Sequence, residues 1–334
     1  MNCLQDYIGL RGCGTTTPPS GLYINDLPGI SLKQMVSLTN EEEATYLDLW
    51  NMIQRRGQNR FTLDVRQAMG KHYKMKSLMQ GINLGNVIGA AAAAPTFDNV
   101  GFSIELIDTP DYQFVPSPLA SIHIQDLHFY AVPGQGILTA DLHVKDINSG
   151  QILWNENVNV VDGWNTIPVN TTFHNNYAFN SWQLAVYANT FSIAQTVEMD
   201  LPYGHTIPGC CDVRVQGVAF NDGNPVAYSN STSGLSGTFS IVCNWDALVC
   251  QNKEVFSRAY WFLLGIELLT EQLYSTKLNQ FTTVNLERCK MLREEYQVEY
   301  MKALEQIAGG FKLACDCCIE CNEQVQLRET TSFY

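Results

Sequence analysis

The spacing of hydrophobic residues changes twice along the chain and divides it into three zones. Residues 1–100 show helical spacing where they are regular, residues 101–250 alternate between apolar and polar, and residues 251–334 return to helical spacing. The pattern predicts an N-terminal helix and loop arm, a β-sandwich domain, and a C-terminal helical region with a cysteine-rich tail. The expected fold class is therefore α+β, with a central antiparallel, jelly-roll-like sandwich.

The first zone contains two sequence signals for the start of a helix. Ser31 with Gln34, and Thr39 with Glu42, each fit a capping box, in which the two side chains satisfy free backbone groups at the helix N-terminus. Gly57 is the expected end of the second helix, because glycine often terminates helices. Between the second box and Gly57, apolar residues recur at helical spacing: Ala44, Leu47, Trp50 and Ile53.

Alternation in the second zone predicts eight or nine antiparallel strands. In the segment around residue 141, Asp141 and His143 are expected on the solvent side of their strand. The alternation slips by one residue at Asp126, which predicts a β-bulge. Three tryptophans are expected to point inward: Trp154, Trp182 and Trp245. The residues expected on apolar strand faces are Leu138, Ala140, Leu142, Val144, Leu184, Val186, Ala188, Phe239, Ile241 and Cys243.

The third zone predicts an antiparallel pair of helices that ends at Gly309 and Gly310. Ser257 is the expected N-cap of the first helix, which contains an apolar run too short to span a bilayer. The second helix carries a stripe at spacings of three and four: Cys289, Leu292, Tyr296, Tyr300, Ala303 and Ile307. The uncharged segment 77–97 is expected to be packed or loop-like rather than a transmembrane helix, because Gln and Asn residues interrupt it.

The charge of the chain excludes one broad class of function. Twenty Lys and Arg residues against 33 Asp and Glu residues give a net charge of −13, which argues against a general nucleic-acid binder. Only 16% of the residues are charged, so the surface depends on neutral polar residues or is covered by partners. The N-terminus shows no secretory signal, and synthesis in a cytoplasm is expected.

Residues 55–76 are an exception to this acidic balance, because they carry seven cations and a single acidic residue, Asp64. One interpretation is a solvated helix face. The other is electrostatic docking onto an acidic neighbour, which includes another copy of this acidic protein. The cations are Arg55, Arg56, Arg60, Arg66, Lys71, Lys74 and Lys76.

No enzyme motif is present, and no catalytic, cofactor-binding or metal-binding residues are assigned. Asp141 and His143 are candidates for a metal or acid–base pair, although a polar strand face is the preferred interpretation. The segment from Asp162 to Asn165 suits either sugar stacking through Trp164 or, preferably, a structural turn with a packed tryptophan. We therefore expect a protein that is not an enzyme.

The odd count of eleven cysteines, without a secretory signal, predicts mostly reduced thiols. The densest cluster is CDCCIEC near the C-terminus, which contains Cys315, Cys317, Cys318 and Cys321. A closed zinc site needs two separated ligand pairs, and the second pair is missing nearby. Interchain disulfides or burial at a subunit contact are therefore preferred, with Cys3 and Cys13 as possible partners.

Three segments resemble virion proteins of crAss-like bacteriophages and related phages: CLQDYIGLRGC (Cys3–Cys13), SGLYINDLPGISL (Ser20–Leu32) and CDCCIEC. Similar proteins build the stacked rings of a short tail barrel beneath the portal. The resemblance implies a structural subunit of a cyclic, dodecameric ring in the collar or tail. Its partners would be other copies and neighbouring tail-ring, portal or muzzle-type virion proteins, without specific nucleic acid or a membrane span.

The implied location is the virion, after synthesis in the cytoplasm of the bacterial host. The resemblance supplies no catalytic residues and no cofactor. Two alternatives remain from the residues alone. One is a carbohydrate-binding sandwich or an adhesion protein that uses it, which exposed aromatics aligned on one sheet face would favour. The other is a hydrolase with an unrecognised site.

Overall fold

The chain has an α+β fold with antiparallel sheets, and its contacts divide it into two compact units. A computed structural model describes residues 3–12, 17–39, 45–76, 78–84, 87–88, 99–107, 117–131, 139–175, 182–189, 197–198, 205–207, 211–221, 224–229, 232–233, 235–274, 286–313 and 318–320. The helical unit comprises Met1–Lys74 and Leu248–Leu313, and the sheet unit comprises Met75–Ala247 and Ala314–Tyr334. The contacts thus group the two helical zones together and place residues 75–100 with the strands.

Five α-helices and one short 3-10 helix lie in the described residues. The 3-10 helix spans Ile24–Asp26, and the α-helices are α1 (Leu32–Leu38), α2 (Tyr46–Gly70), α3 (Trp245–Gln251), α4 (Lys253–Tyr274) and α5 (Leu286–Gly310). Helix α1 begins with the capping box predicted at Ser31 and Gln34. Helix α5 ends at the predicted glycine pair.

Helix α2 differs from its prediction at both ends. It begins at Tyr46 with a capping box between Thr45 and Asp48. The predicted N-cap Thr39 is instead the C-cap of α1, and residues 40–44 lie outside the described residues. The predicted end at Gly57 is wrong, because the helix continues to Gly70. Gly57 is buried at a close approach to α4, so its missing side chain permits packing rather than helix termination.

Aromatic side chains form the core of the helical unit. Phe61 of α2 contacts Phe256 and Tyr260 of α4, with ring centroids 6.1 and 5.4 Å apart, and Tyr300 of α5 at 6.4 Å. Phe262 in α4 contacts Tyr296 in α5 at 5.9 Å.

Helices α4 and α5 run antiparallel, as the sequence predicts. Phe256, near the start of α4, stacks on Phe311, which directly follows α5, with centroids 5.7 Å apart. The predicted cap at Ser257 is wrong, because α4 starts at Lys253 and the Ser257 hydroxyl donates to the Glu254 carbonyl inside the helix.

The strands described in the sheet unit range from two to twelve residues in length. Their bounds are β1 (Lys74–Met75), β2 (Met79–Asn83), β3 (Val87–Ile88), β4 (Asn99–Ile107), β5 (Ala120–Ala131), β6 (Thr139–Asp146), β7 (Ile152–Asn159), β8 (Gly163–His174), β9 (Trp182–Asn189), β10 (Val197–Glu198), β11 (His205–Ile207), β12 (Cys211–Asn221), β13 (Asn224–Ser229), β14 (Thr232–Ser233), β15 (Ser236–Cys243) and β16 (Ile319–Glu320).

Two large antiparallel sheets dominate this unit, which agrees with the sandwich prediction. The larger has the order β11-β12-β4-β9-β6-β7, with β13 also paired to β12, and the smaller has the order β2-β15-β5-β8. The remaining sheets are β14-β10-β3 and β1-β16. The bulge predicted at Asp126 is confirmed, because the β5–β8 register shifts between Ile124 and Asp126.

The predicted strand faces hold for most apolar residues and fail for one polar residue, while Trp154 and Cys243, which were expected to face inward, are only partly buried. Ala140, Leu142 and Val144 of β6 are buried, as is Trp182 of β9. His143 was expected on the solvent side and is instead buried, with 7% of its surface exposed. Strand β6 lies between β7 and β9, and the β9 side chain of Tyr187 covers the histidine ring.

Three further sequence predictions concern Trp245, two residues of the predicted strand faces, and segment 77–97. Trp245 is buried but begins helix α3 instead of continuing its strand. Leu138 and the side chain of Ala188 lie outside the described residues. Within segment 77–97, residues 79–83 form strand β2. None of the helices in the described part of the chain is long and apolar enough to cross a membrane.

Four of the described cysteines form disulfides, contrary to the expectation of mostly reduced thiols. Cys3 is bonded to Cys250 and Cys243 to Cys318, across 247 and 75 positions of sequence. The sequence could not identify these pairs, because the bonded residues are brought together only by the fold. Cys13, Cys210, Cys315, Cys317 and Cys321 lie outside the described residues.

Candidate assembly interface

Helix α5 presents a continuous exposed face on the side opposite its buried tyrosines. The residues of this face alternate at spacings of four and three, which places them on one side of a helix. Its apolar members Met291, Val298 and Met301 are 70%, 51% and 41% exposed. We call this face the α5 acidic stripe, and it comprises Glu287, Met291, Glu294, Val298, Met301 and Glu305.

Helix α2 presents a second outward face of opposite charge. Phe61 and Val65 are buried against the unit's core, whereas Leu63 between them is 63% exposed. The neighbouring positions on the outer side carry arginines and a half-buried methionine. We call this face the α2 basic stripe, and it comprises Met52, Arg55, Asn59, Leu63 and Arg66.

Two of the cations predicted to dock onto an acidic neighbour bind acidic residues of their own chain. The Arg56 guanidinium lies 2.7 Å from the carboxylate of Glu271, and the Arg60 guanidinium lies 3.0 Å from that of Glu267. Both glutamates belong to α4. Arg60 also lies 3.5 Å from Asp64 on its own helix. These contacts hold α2 against α4, and Arg55 and Arg66 are exposed on the outward face of the same helix.

A hydrogen bond between Tyr300 and Asp64 joins α5 to α2 beneath the two stripes. The Tyr300 hydroxyl donates to the Asp64 carboxylate at 2.7 Å. Burial and the neighbouring carboxylate raise the pKa of Tyr300. Burial similarly raises the pKa of Tyr296 to about 12, and its hydroxyl donates to the Pro28 carbonyl. Both phenols therefore remain neutral donors at physiological pH and fix α5 in place.

An open groove lies where the start of α4 meets the end of α5. Its volume is about 500 Å³. Val255, which is 50% exposed, contributes to its apolar surface, and Arg258 and Lys312 contribute positive charge. The other lining residues are Ala303, Gln306, Ile307, Gly310 and Phe311.

The structure brings the candidate pair Asp141 and His143 together, in a setting that favours a structural role. The Nε2 atom of His143 lies 2.9 Å from the Asp141 carboxylate. The imidazole ring stacks on Tyr187 with centroids 5.2 Å apart. Burial and Asp141 raise the pKa of Tyr187. Because Tyr187 covers the ring and Asp141 contacts it, this pair stabilises the pairing of β6 with β9.

A ladder of polar pairs joins strands β5 and β8, and the sequence analysis did not single it out. The nitrogen–oxygen distances are 2.8 to 3.1 Å in the pairs Ser121–His174, His123–Thr172 and His128–Thr166. The bulge residue Asp126 contacts His128 at 2.9 Å. Such pairs stabilise neighbouring strands. The described residues contain no group of three or more His, Cys, Asp or Glu residues placed to hold a metal ion.

The preferred structural turn is only partly confirmed, because the chain bends at Asp162 and Gly163 already begins strand β8. Gly163 has a φ of +94°, which favours glycine, and the Asn165 side chain accepts from the Val161 amide at 3.0 Å. The expectation of a packed tryptophan holds in part. Trp164 meets the ring of Tyr130 edge-on at 5.5 Å but is 41% exposed.

The two cysteines in the described part of the chain that form no disulfide are not activated nucleophiles. Cys211 and Cys289 are both buried. Burial raises the pKa of the Cys211 thiol to about 12, with the nearby Asp212 acting in the same direction, and it also raises the pKa of Cys289. A reactive cysteine needs the opposite shift, which increases the thiolate fraction.

Comparison with known proteins gives two distant structural matches. No protein-family model and no curated protein matches the chain. A structure of the infectious bursal disease virus Gt strain matches at 12% identity and a TM-score of 0.19, over 71% of this chain and 55% of the other. The infectious bursal disease virus VP2 subviral particle matches at 12% identity and a TM-score of 0.13, over 72% and 54%. This chain spans about half the length of both, and TM-scores this low support no inference about fold or function.

Proposed function

We propose that the protein is a structural virion protein that forms a closed ring in the collar or short tail of a bacteriophage, between the portal and the tail. The observation that carries this proposal is the exposed apolar surface of the helical unit, above all Met291 and Val298 on the α5 acidic stripe. Several exposed apolar side chains on one helix face are typical of contact sites, because soluble monomers keep exposed apolar patches small. The resemblance of the terminal segments to tail-barrel proteins indicates the type of assembly.

The organisation of the helical unit suits a subunit that transmits force through contacts. Its helices are joined by a shared aromatic core, by the Tyr300–Asp64 hydrogen bond and by the Arg60–Glu267 ion pair. A rigid unit of this kind preserves the spacing between its outward faces. Rings form when a surface on one copy meets a different surface on the next copy and the rotation closes. In this proposal the protein has no catalytic role.

The experiment that tests the proposal is direct imaging of the purified full chain. Negative-stain electron microscopy and light scattering should detect rings, either with the protein alone or after neighbouring virion proteins are added. Only a 37.4 kDa monomer under every condition would overturn the ring. The stoichiometry can be counted from the same images and compared with the twelve subunits that the resemblance implies.

A carbohydrate-binding module is the second candidate, and one observation favours it. Trp164 and Tyr130 are directly paired across β8 and β5, and Trp164 exposes 41% of its surface. Exposed aromatic rings are typical of surfaces that stack on sugars. Glycan-array binding by the wild-type chain that is lost in Trp164→Ala, with the fold unchanged by circular dichroism, would support this function.

A further inference from the structure

Two outward faces of the helical unit carry opposite charge and similar apolar content. The α5 acidic stripe contains three glutamates and three apolar residues, and the α2 basic stripe contains two arginines and two apolar residues. The whole chain carries a net charge of −13, so two copies repel each other unless oppositely charged surfaces meet. We infer that the α2 basic stripe of one copy binds the α5 acidic stripe of the next copy.

The two stripes have the same spacing, and the shorter one fits within the length of the other. At a rise of about 1.5 Å per residue, the α5 stripe from Glu287 to Glu305 extends over roughly 27 Å, and the α2 stripe from Met52 to Arg66 over roughly 21 Å. Both repeat at intervals of three and four residues, the spacing that lets two helices pack side by side. Leu63 can then pack among Met291, Val298 and Met301, while the arginines meet the glutamates.

The placement of the stripes produces a head-to-tail contact rather than a symmetric one. Phe61 of α2 and Tyr300 of α5 both point into the shared aromatic core. Each stripe lies on the opposite side of its helix from that aromatic residue, so the stripes occupy two different outer sides of one unit. Contact between different surfaces of successive copies generates a ring when the rotation closes.

The same charges argue for a protein partner in preference to nucleic acid. The α2 stripe contains only two arginines, and the nearby Arg56 and Arg60 bind the carboxylates of Glu271 and Glu267, so their charges are paired within the chain. A nucleic-acid surface needs a broad positive field on the domain. An exposed leucine within the stripe also fits an apolar protein surface better than phosphates.

This inference rests on the proposed ring function, and charge exchange between the stripes tests it. One variant carries Arg55→Glu and Arg66→Glu, and the other carries Glu294→Arg and Glu305→Arg. Each alone places like charges at every contact and should associate about tenfold or more weakly than wild type. An equimolar mixture of the two restores opposite charges at both kinds of contact and should form rings again, in which the variants alternate.

The measurements are negative-stain imaging and sedimentation of the full chain at low salt, with thermal unfolding to verify that each variant folds. The matched control carries Glu156→Arg and Asp162→Arg, which are exposed positions on the sheet unit and change the charge by the same amount as the α5 variant. The control should assemble like wild type. Wild-type association should also weaken near 1 M salt, where the Debye length is about 3 Å.

The possible outcomes separate this contact from the ring itself. A wild-type chain that never assembles, with or without virion partners, overturns the ring and the contact together. Rings formed by wild type and by both charge-reversed variants leave the proposed function standing and overturn only this contact. A mixture that fails to restore assembly, or variants that lose binding only to a different virion protein, also overturns it.

Discussion

Gly57 of α2 lies directly against Leu264 of α4. A Cβ atom added at Gly57 would come within 2.6 Å of the Leu264 Cδ2 atom, and within 3.7 Å of the Tyr260 ring. The absence of a side chain therefore sets how closely α2 approaches α4. The same approach brings Arg56 and Arg60 of α2 to their carboxylate partners on α4.

We predict that Gly57→Ala destabilises the helical unit. Alanine favours a helix over glycine by about 1 kcal/mol, but the added methyl group displaces a buried leucine in a packed core. Overpacking of this kind costs about 1–3 kcal/mol, so the net change in the free energy of unfolding should be a loss of up to about 2 kcal/mol. Urea unfolding of the full chain measures it.

Gly70→Ala is the control for this prediction, because it changes the same residue type in the same helix. Nothing lies within 4 Å of a Cβ atom added at Gly70. Its free energy of unfolding should stay the same or rise slightly. A Gly57→Ala protein as stable as Gly70→Ala would show that α2 and α4 are not packed at this distance.

Gly57 also shows why the sequence predicted the elements better than their ends. Glycine at a helix terminus and glycine at a helix crossing give the same local signal, and only the position of Leu264 separates them. The bulge at Asp126 could be predicted, because a slip in the alternation of apolar and polar residues is visible in consecutive positions. Disulfides such as Cys3–Cys250 could not, since their partners are distant in sequence.

The sequence predicted the candidate interface only in part. The apolar stripe of the last helix correctly identified the buried side through Cys289, Tyr296 and Tyr300. The exposed apolar residues Met291 and Val298 gave no signal by themselves, since an apolar residue on an outer face looks like a residue of another buried face. Which cations of α2 remain outward depended on the carboxylates of α4.

We predict that Trp182→Ala and His143→Ala both destabilise the sheet unit, to different extents. Trp182 is 1% exposed, and its truncation should cost about 3–5 kcal/mol by leaving a cavity. His143→Ala removes the contact with Asp141 and the stacking on Tyr187, each worth roughly 1 kcal/mol. Urea unfolding should therefore give a loss of about 1–2 kcal/mol for His143→Ala. A loss near zero would show that His143 is exposed after all.

We predict that the helical unit loses stability as the pH rises from about 10 to 12. The pKa of Tyr296 is raised from its ordinary value of 10.0 to about 12 by burial, so the unfolded chain ionises first and the folded chain is disfavoured. The contribution is complete below pH 10 and is lost toward pH 12. Urea unfolding at several pH values should show a shallower alkaline decline for Tyr296→Phe than for wild type. Equal declines would contradict the assignment.

We predict that the Cys3–Cys250 disulfide stabilises the folded chain by closing a very long loop. Its partners are 247 positions apart, and constraining the unfolded chain over such a length is worth about 2–5 kcal/mol. Cys3→Ser should therefore lower the melting temperature under non-reducing conditions. A reductant should lower the melting temperature of wild type by more than that of Cys3→Ser, which retains only the Cys243–Cys318 bond among those described. Mass spectrometry after alkylation verifies the pairing. A free thiol at Cys250 in the oxidised wild-type protein would contradict the prediction.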